Sequence, residues 1–248
     1  MFVSATTGCF PNESLETAAE KLSDLDFSAL EIYIHENEGC IKPSELVKNF
    51  EATVKRCRDL RRMTASVYSI DTGECSDFAL KLQACCKMAK LNRVVTLVLR
   101  SSELGTPYNE EVERLQLAVK YATYYGCVIG ILPEKGRMSE DLATVLNWCE
   151  KIRGLGIALD PAYYVGPVLQ SSLWERLMPY VYHVRLRDCK EGAFQVKVGQ
   201  GEVEYGKLLA QLDNVGYKRG LSIDIVPNDV DDHAVELRKM RLLIESLL

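Results

Sequence analysis

Histidine is scarce in this 248-residue chain, with only His35, His183 and His233. That leaves little room for a multi-metal centre built on imidazoles. Nine cysteines are present but none in Cys-x-x-Cys spacing, and the number is odd. Neither a zinc ribbon nor a disulfide framework is indicated, and the thiols read as reduced and mostly buried. No apolar run approaches the roughly 20 residues of a membrane helix, and Met1-Phe-Val-Ser-Ala lacks a basic segment followed by an apolar one. A cytoplasmic protein with no membrane role is the expectation.

A large basic surface is also missing. With 30 basic against 35 acidic residues the net charge is −5, which argues against a nucleic-acid partner. The one basic cluster, Lys55-Arg-Cys-Arg-Asp-Leu-Arg-Arg62, closes an expected helix and complements its dipole. No Gly-x-Gly-x-x-Gly follows the first strand, and no Lys-Ser/Thr follows Gly199 and Gly201, so neither a dinucleotide fold nor a phosphate loop is signalled. No linker or low-complexity tract divides residues 1–248, which read as one domain. Nothing sets the oligomeric state, and a homo-oligomer is compatible with the composition.

What is present is a regular alternation of two periods. Short β-rich runs fall at 2–6, 29–34, 63–70, 94–100, 127–133, 156–160, 181–188 and 220–226. Helical spacing fills the intervals: 12–25, 43–60, 75–89, 109–125, 139–153 with Ser139 as its N-cap, 167–177, 205–215 and 231–248. Eight strand-then-helix units in this length predict an α/β fold, a single (β/α)8 TIM barrel. An open doubly wound sheet would usually have fewer strands.

In such a barrel chemistry sits at the C-terminal ends of strands. The charged residues expected there are Glu31, Arg100, Glu134, Asp160, Arg185, Asp188 and Asp224. The run Val181 to Asp188 is the most informative, because alternation puts His183, Arg185 and Arg187 on one face. Three large polar groups on one face of a covered strand require a polar cavity or partners. His183 reads as a hydrogen-bonded barrel histidine, His35 as a loop residue and His233 as structural. Tyr163 and Tyr164, with Trp174 and Tyr108, supply either the apolar side of a pocket or packing of loops on the barrel top.

His183-Val-Arg-Leu-Arg-Asp188, then Val198-Gly-Gln-Gly-Glu-Val-Glu, then Gly216-Tyr-Lys-Arg-Gly-Leu-Ser-Ile-Asp224 resemble the C-terminal third of the xylose isomerase-like TIM barrels, which include sugar and sugar-phosphate isomerases and epimerases and endonuclease IV-like repair enzymes. Leu159-Asp-Pro-Ala-Tyr163 is similar to the Asp-x-x-His ending their sixth strand, and Ala29-Leu-Glu-Ile32 to their second strand with its inward Glu. The resemblance implies proton transfer between two carboxylates on a metal-bound carbonyl. Its four metal positions carry over to Leu132, Asp160, Arg185 and Asp224. Two of these cannot coordinate, since leucine has no donor atom and arginine stays protonated. The expectation is therefore no cofactor, with Arg185 lying as a fixed cation between Asp160 and Asp224. The alternative is a manganese, magnesium or zinc ion held by Glu134, Asp160 and Asp224. Catalytic candidates are Glu134, Asp160, Arg185 and Asp224, and substrate-binding candidates are Glu31, Arg100, Tyr163, His183 and Arg187. The ligand implied is a small sugar or anion. Too few histidines and too acidic a chain count against the repair enzymes.

Overall fold

Every strand of the computed structural model is parallel to its neighbours, and the order β1-β2-β3-β4-β5-β6-β7-β8 closes on itself. The strands are β1 (Phe2–Thr6), β2 (Ala29–His35), β3 (Thr64–Asp71), β4 (Thr96–Arg100), β5 (Val128–Leu132), β6 (Leu155–Leu159), β7 (Val181–Leu186) and β8 (Gly220–Ile223). The helices are α1 (Leu15–Asp24), α2 (Pro43–Lys48), α3 (Phe50–Arg58), α4 (Phe78–Leu91), α5 (Tyr108–Tyr125), α6 (Leu142–Lys151), α7 (Ser172–Leu177), α8 (Tyr205–Asn214) and α9 (His233–Glu245). Residues 1–72, 77–164, 172–228 and 232–248 are described. The expected helix starts at 75, 167 and 231 lie outside them.

The helices form because their apolar residues recur at the helical period. In α1 the buried positions are Leu15, Ala18, Ala19 and Leu22, and in α8 they are Tyr205, Leu208, Leu209 and Leu212. Each set makes a single stripe laid against the sheet. Ser14 caps α1 by accepting from the Thr17 N–H at 3.1 Å, and α5 ends at Gly126 in the left-handed region, φ 78°, where glycine carries no Cβ penalty.

Two details depart from the periodic reading. The run 43–60 is two helices, broken at Asn49, which ends α2 and starts α3. Ser139 does not cap the fifth-unit helix. Its hydroxyl donates to the Leu132 carbonyl at 2.8 Å, while Asp141 caps α6 through the Thr144 N–H at 2.8 Å. A carboxylate two residues on is the stronger acceptor for those free N–H groups.

The main core lies between sheet and helices. A second, small apolar cluster of Val67, Val98, Leu132 and Ala158 fills one side of the barrel interior on β3 to β6. The opposite side, where β7, β8, β1 and β2 meet, is polar, and there the site is built.

Candidate functional site

His183 and Arg185 project from β7 toward Glu31 on β2, a strand that is not its neighbour, so these contacts are made inside the barrel. His183 Nε2 lies 2.8 Å from Glu31 Oε2. Its Nδ1 has no partner among the described residues, so in the neutral ring the proton is on Nε2 and is donated to the carboxylate. Arg185 Nε donates to Glu31 Oε1 at 2.8 Å, and Nη2 reaches both Glu31 and Ser69 Oγ, the latter at 2.6 Å. Glu31 and His183 are each 0% exposed. Burial alone would raise the Glu31 pKa, but the Arg185 charge and His183, with their hydrogen bonds, outweigh it and hold the carboxyl well below the usual range. Burial works against the Arg185 charge too, and Glu31 and Asp224 overcome it, keeping the guanidinium protonated.

One layer outward, Arg187 Nη2 donates to Asp160 Oδ2 at 2.9 Å and to Asp224 Oδ2 at 2.6 Å. The cation between the two strand-end aspartates is therefore Arg187, not Arg185. Arg185 approaches Asp224 only to 3.7 Å, because its fork is committed to Glu31. Asp160 also accepts from the Ala162 N–H at 3.0 Å. Burial, and to a lesser degree the proximity of Asp224, push its pKa up against the opposing pull of Arg187.

A third group stands beside these. Arg100, at the end of β4, pairs with Glu134 through Nε at 2.6 Å and through Nη2, and with Asp71 through Nη1. Arg137 Nε lies 3.2 Å from Glu134. Asp71 is also 3.3 Å from His35 Nε2, and His35 Nδ1 accepts from the Asn37 and Glu38 N–H groups at 3.2 and 2.9 Å. His35 thus orders the loop after β2.

These groups open on a mouth cavity of about 500 Å³. Its walls include Arg100, Glu134, Arg185, Arg187 and Asp224, the aromatic rings of Tyr33, Tyr163 and Phe194, and Leu132. Tyr163 and Phe194 pack edge to face at 4.8 Å, and burial pushes the Tyr163 hydroxyl well above the ordinary phenol. Of the substrate-binding candidates, Arg100, Tyr163 and Arg187 reach the cavity wall, whereas Glu31 and His183 lie beneath it, supporting Arg185.

The other aromatic candidates pack elsewhere. Tyr164 donates to the Ser139 carbonyl at 3.4 Å, Trp174 Nε1 donates to Gln211 at 3.2 Å, and Tyr108 stacks on Trp148. His233 Nε2 is 2.9 Å from the Ile225 carbonyl. Asp188 is a loop anchor, accepting from the Gly199 and Gly201 N–H groups at 2.7 and 2.9 Å, with the Tyr205 hydroxyl 3.1 Å away.

Sequence reasoning missed Tyr33, Ser69, Asp71, Arg137 and Phe194. Tyr33 shares strand parity with Glu31, so counting by two along β2 would have found it. Phe194 lies in an irregular loop and carries no periodic signal.

A divalent ion does not fit this donor set. Leu132 is apolar, Arg185 is an engaged cation, and Asp160 and Asp224 already share a guanidinium. Among the described residues no three or more His, Cys, Asp or Glu side chains converge as a metal would need.

No protein-family model matches the chain, and no curated protein matches it in sequence. Solved structures do. A D-tagatose 3-epimerase-like protein is 19% identical with a TM-score of 0.73 over 99% of both chains. An L-ribulose 3-epimerase is 13% identical with a TM-score of 0.71, covering 100% of this chain and 95% of the other. A xylose isomerase-like TIM barrel protein from Mycobacterium smegmatis, in complex with magnesium, is 11% identical with a TM-score of 0.75, over 99% and 97%. At such identities the likeness is one of fold: the chain shares the (β/α)8 barrel architecture of these proteins.

Proposed function

We propose that this protein is a divergent sugar isomerase or epimerase-like barrel that binds a small, polar, sugar-like ligand at the C-terminal mouth, with a degenerate metal site. The observation that carries the reading is the mouth cavity itself, where hydrogen-bonding charged groups from the ends of β4, β7 and β8 face aromatic walls. A polyol offers hydroxyls to the first and a C–H face to the second. The solved epimerases of the same fold support it.

Of the carboxylates on the cavity wall, Glu38, Glu134 and Asp224, the two at strand ends, Glu134 and Asp224, would move a proton α to a carbonyl. Arg100, Arg185 and Arg187 beside them would stabilise the enediolate oxygen. The test uses D-tagatose and L-ribulose in EDTA-treated buffer, reading thermal shift and, in deuterated water, loss of the proton α to the carbonyl by NMR. A ligand-dependent shift with exchange is expected. Failure of both sugars to shift the midpoint would refute the reading.

A non-catalytic binding barrel is the second reading, favoured by one fact: Glu134 and Asp224 are each already paired with an arginine. A shift without proton exchange would select it.

A further inference from the structure

Arg187 is held as no surface arginine is. It follows β7, only 5% exposed, and its positive charge is shared between Asp160 on one side and Asp224 on the other. Both hydrogen bonds run through Nη2. The Phe194 ring covers the guanidinium, with Cζ 4.4 Å from its centroid. Burial would discharge it, and the two aspartates overcome that cost and keep it charged. Among the described residues Nη1 makes no hydrogen bond, and the side chain lines the mouth cavity. One delocalised cation therefore binds two carboxylates and keeps an uncommitted edge. Arg185 Nη1, 3.7 Å from Asp224, adds a second positive charge to the same place.

We infer that Arg187 is a tethered replacement for a divalent cation and the main barrier to an ion between Asp160 and Asp224. An ion entering between Asp160 and Asp224 would have to displace a guanidinium that is bound to the chain. It would also have to settle beside Arg185, and like charges within a few ångströms repel strongly where water is scarce. Neither obstacle involves the protein's scaffold. With Arg187 shortened, two aspartates on adjacent parts of the rim become available to a hard cation. The inference rests on the metal-free part of the proposed function and not on the identity of its ligand.

Manganese alone is the probe. EDTA-stripped wild type, Arg187→Ala and the double variant Arg187→Ala/Asp160→Asn are titrated with it, with free ion read by electron paramagnetic resonance and binding heat by calorimetry. Wild type is expected to leave the ion free. Arg187→Ala is expected to take up one ion at least about tenfold more tightly, and the double variant to lose that gain.

Stoichiometric manganese on the wild type would overturn the metal-free reading itself. A folded Arg187→Ala variant that binds no better than wild type would overturn the tethered-cation inference and leave that reading standing. Should Arg187→Ala fail to fold in metal-free buffer, it is refolded with manganese: recovery of the native circular dichroism supports the inference, and equal failure with and without the ion refutes it.

Discussion

Replacing Glu31 by glutamine should be among the most damaging single-atom changes in this protein. The side chain keeps its shape and loses its charge, while Arg185 and His183 remain beside it, fully or nearly buried. Glu31 accepts from Arg185 Nε and Nη2 and pairs with His183 Nε2. Removing one partner of a buried ion pair costs about 3–5 kcal/mol, mainly because the surviving charge is left uncompensated. Ser69 and the distant Asp224 relieve Arg185 only in part. For a chain of this length each kcal/mol lowers the melting temperature by roughly 2–4 °C, so a fall of about 6–20 °C is expected by calorimetry or circular dichroism.

The double-mutant cycle sharpens the test. Arg185→Met alone should be costly, whereas Glu31→Gln/Arg185→Met should recover much of the loss, since an apolar pair of similar volume can replace a buried ion pair at little cost. The pH dependence has a definite sign. Glu31 is held below its unfolded value, so its contribution is full above pH of about 4.3 and is lost as pH falls toward the folded pKa. The wild type should therefore exceed Glu31→Gln by a constant margin from pH 6 to 8, and the margin should shrink in acid. A margin within about 0.5 kcal/mol at pH 7, or one that widens in acid, would refute the argument.

Asp160→Asn should be far milder, within about 1 kcal/mol in the same denaturation assay. Burial already disfavours that charge, Asn can still accept from the Ala162 N–H, and Arg187 keeps Asp224; a loss equal to that of Glu31→Gln would contradict this. Gly201→Ala should unfasten the loop after β7, because a Cβ there would overlap the Asp188 carboxylate and lie 2.6 Å from the Cys189 carbonyl. Breaking the two charge-assisted bonds of that anchor predicts a loss of about 2 kcal/mol or more, and an unchanged melting temperature would show that the anchor is slack. Burial pushes the thiols of Cys57, Cys85, Cys149 and Cys189 up to about 12, so these four should resist Ellman's reagent at pH 8 in the native protein and react on unfolding. Peptide mapping that finds them labelled within minutes in the native state would count against this packing.

The barrel and the polar face of β7 were legible because both follow from period. Alternation by two puts His183, Arg185 and Arg187 together whatever surrounds them, and apolar stripes such as Leu15, Ala18, Ala19 and Leu22 mark a covered helix in any context. Which acid each arginine takes is a different kind of fact. Arg185 is level with Ser222 on β8 and meets Glu31 from β2, a strand separated from it by two others in the barrel. That meeting depends on the tilt and stagger with which eight strands close, and no residue spacing within a strand encodes the stagger.

Position along each strand puts the cation at the residue standing in the metal ligand's place, Arg185. The long arginine side chain removes the basis for that step. Arg187, two residues on, spans the rim to both aspartates, while Arg185 turns to a carboxylate already buried and waiting. Position along a strand predicts the place of a compact ligand such as histidine much better than that of a charge at the end of a flexible stem. The same reach explains why Phe194, from an irregular loop, became visible only once the guanidinium it covers had been located.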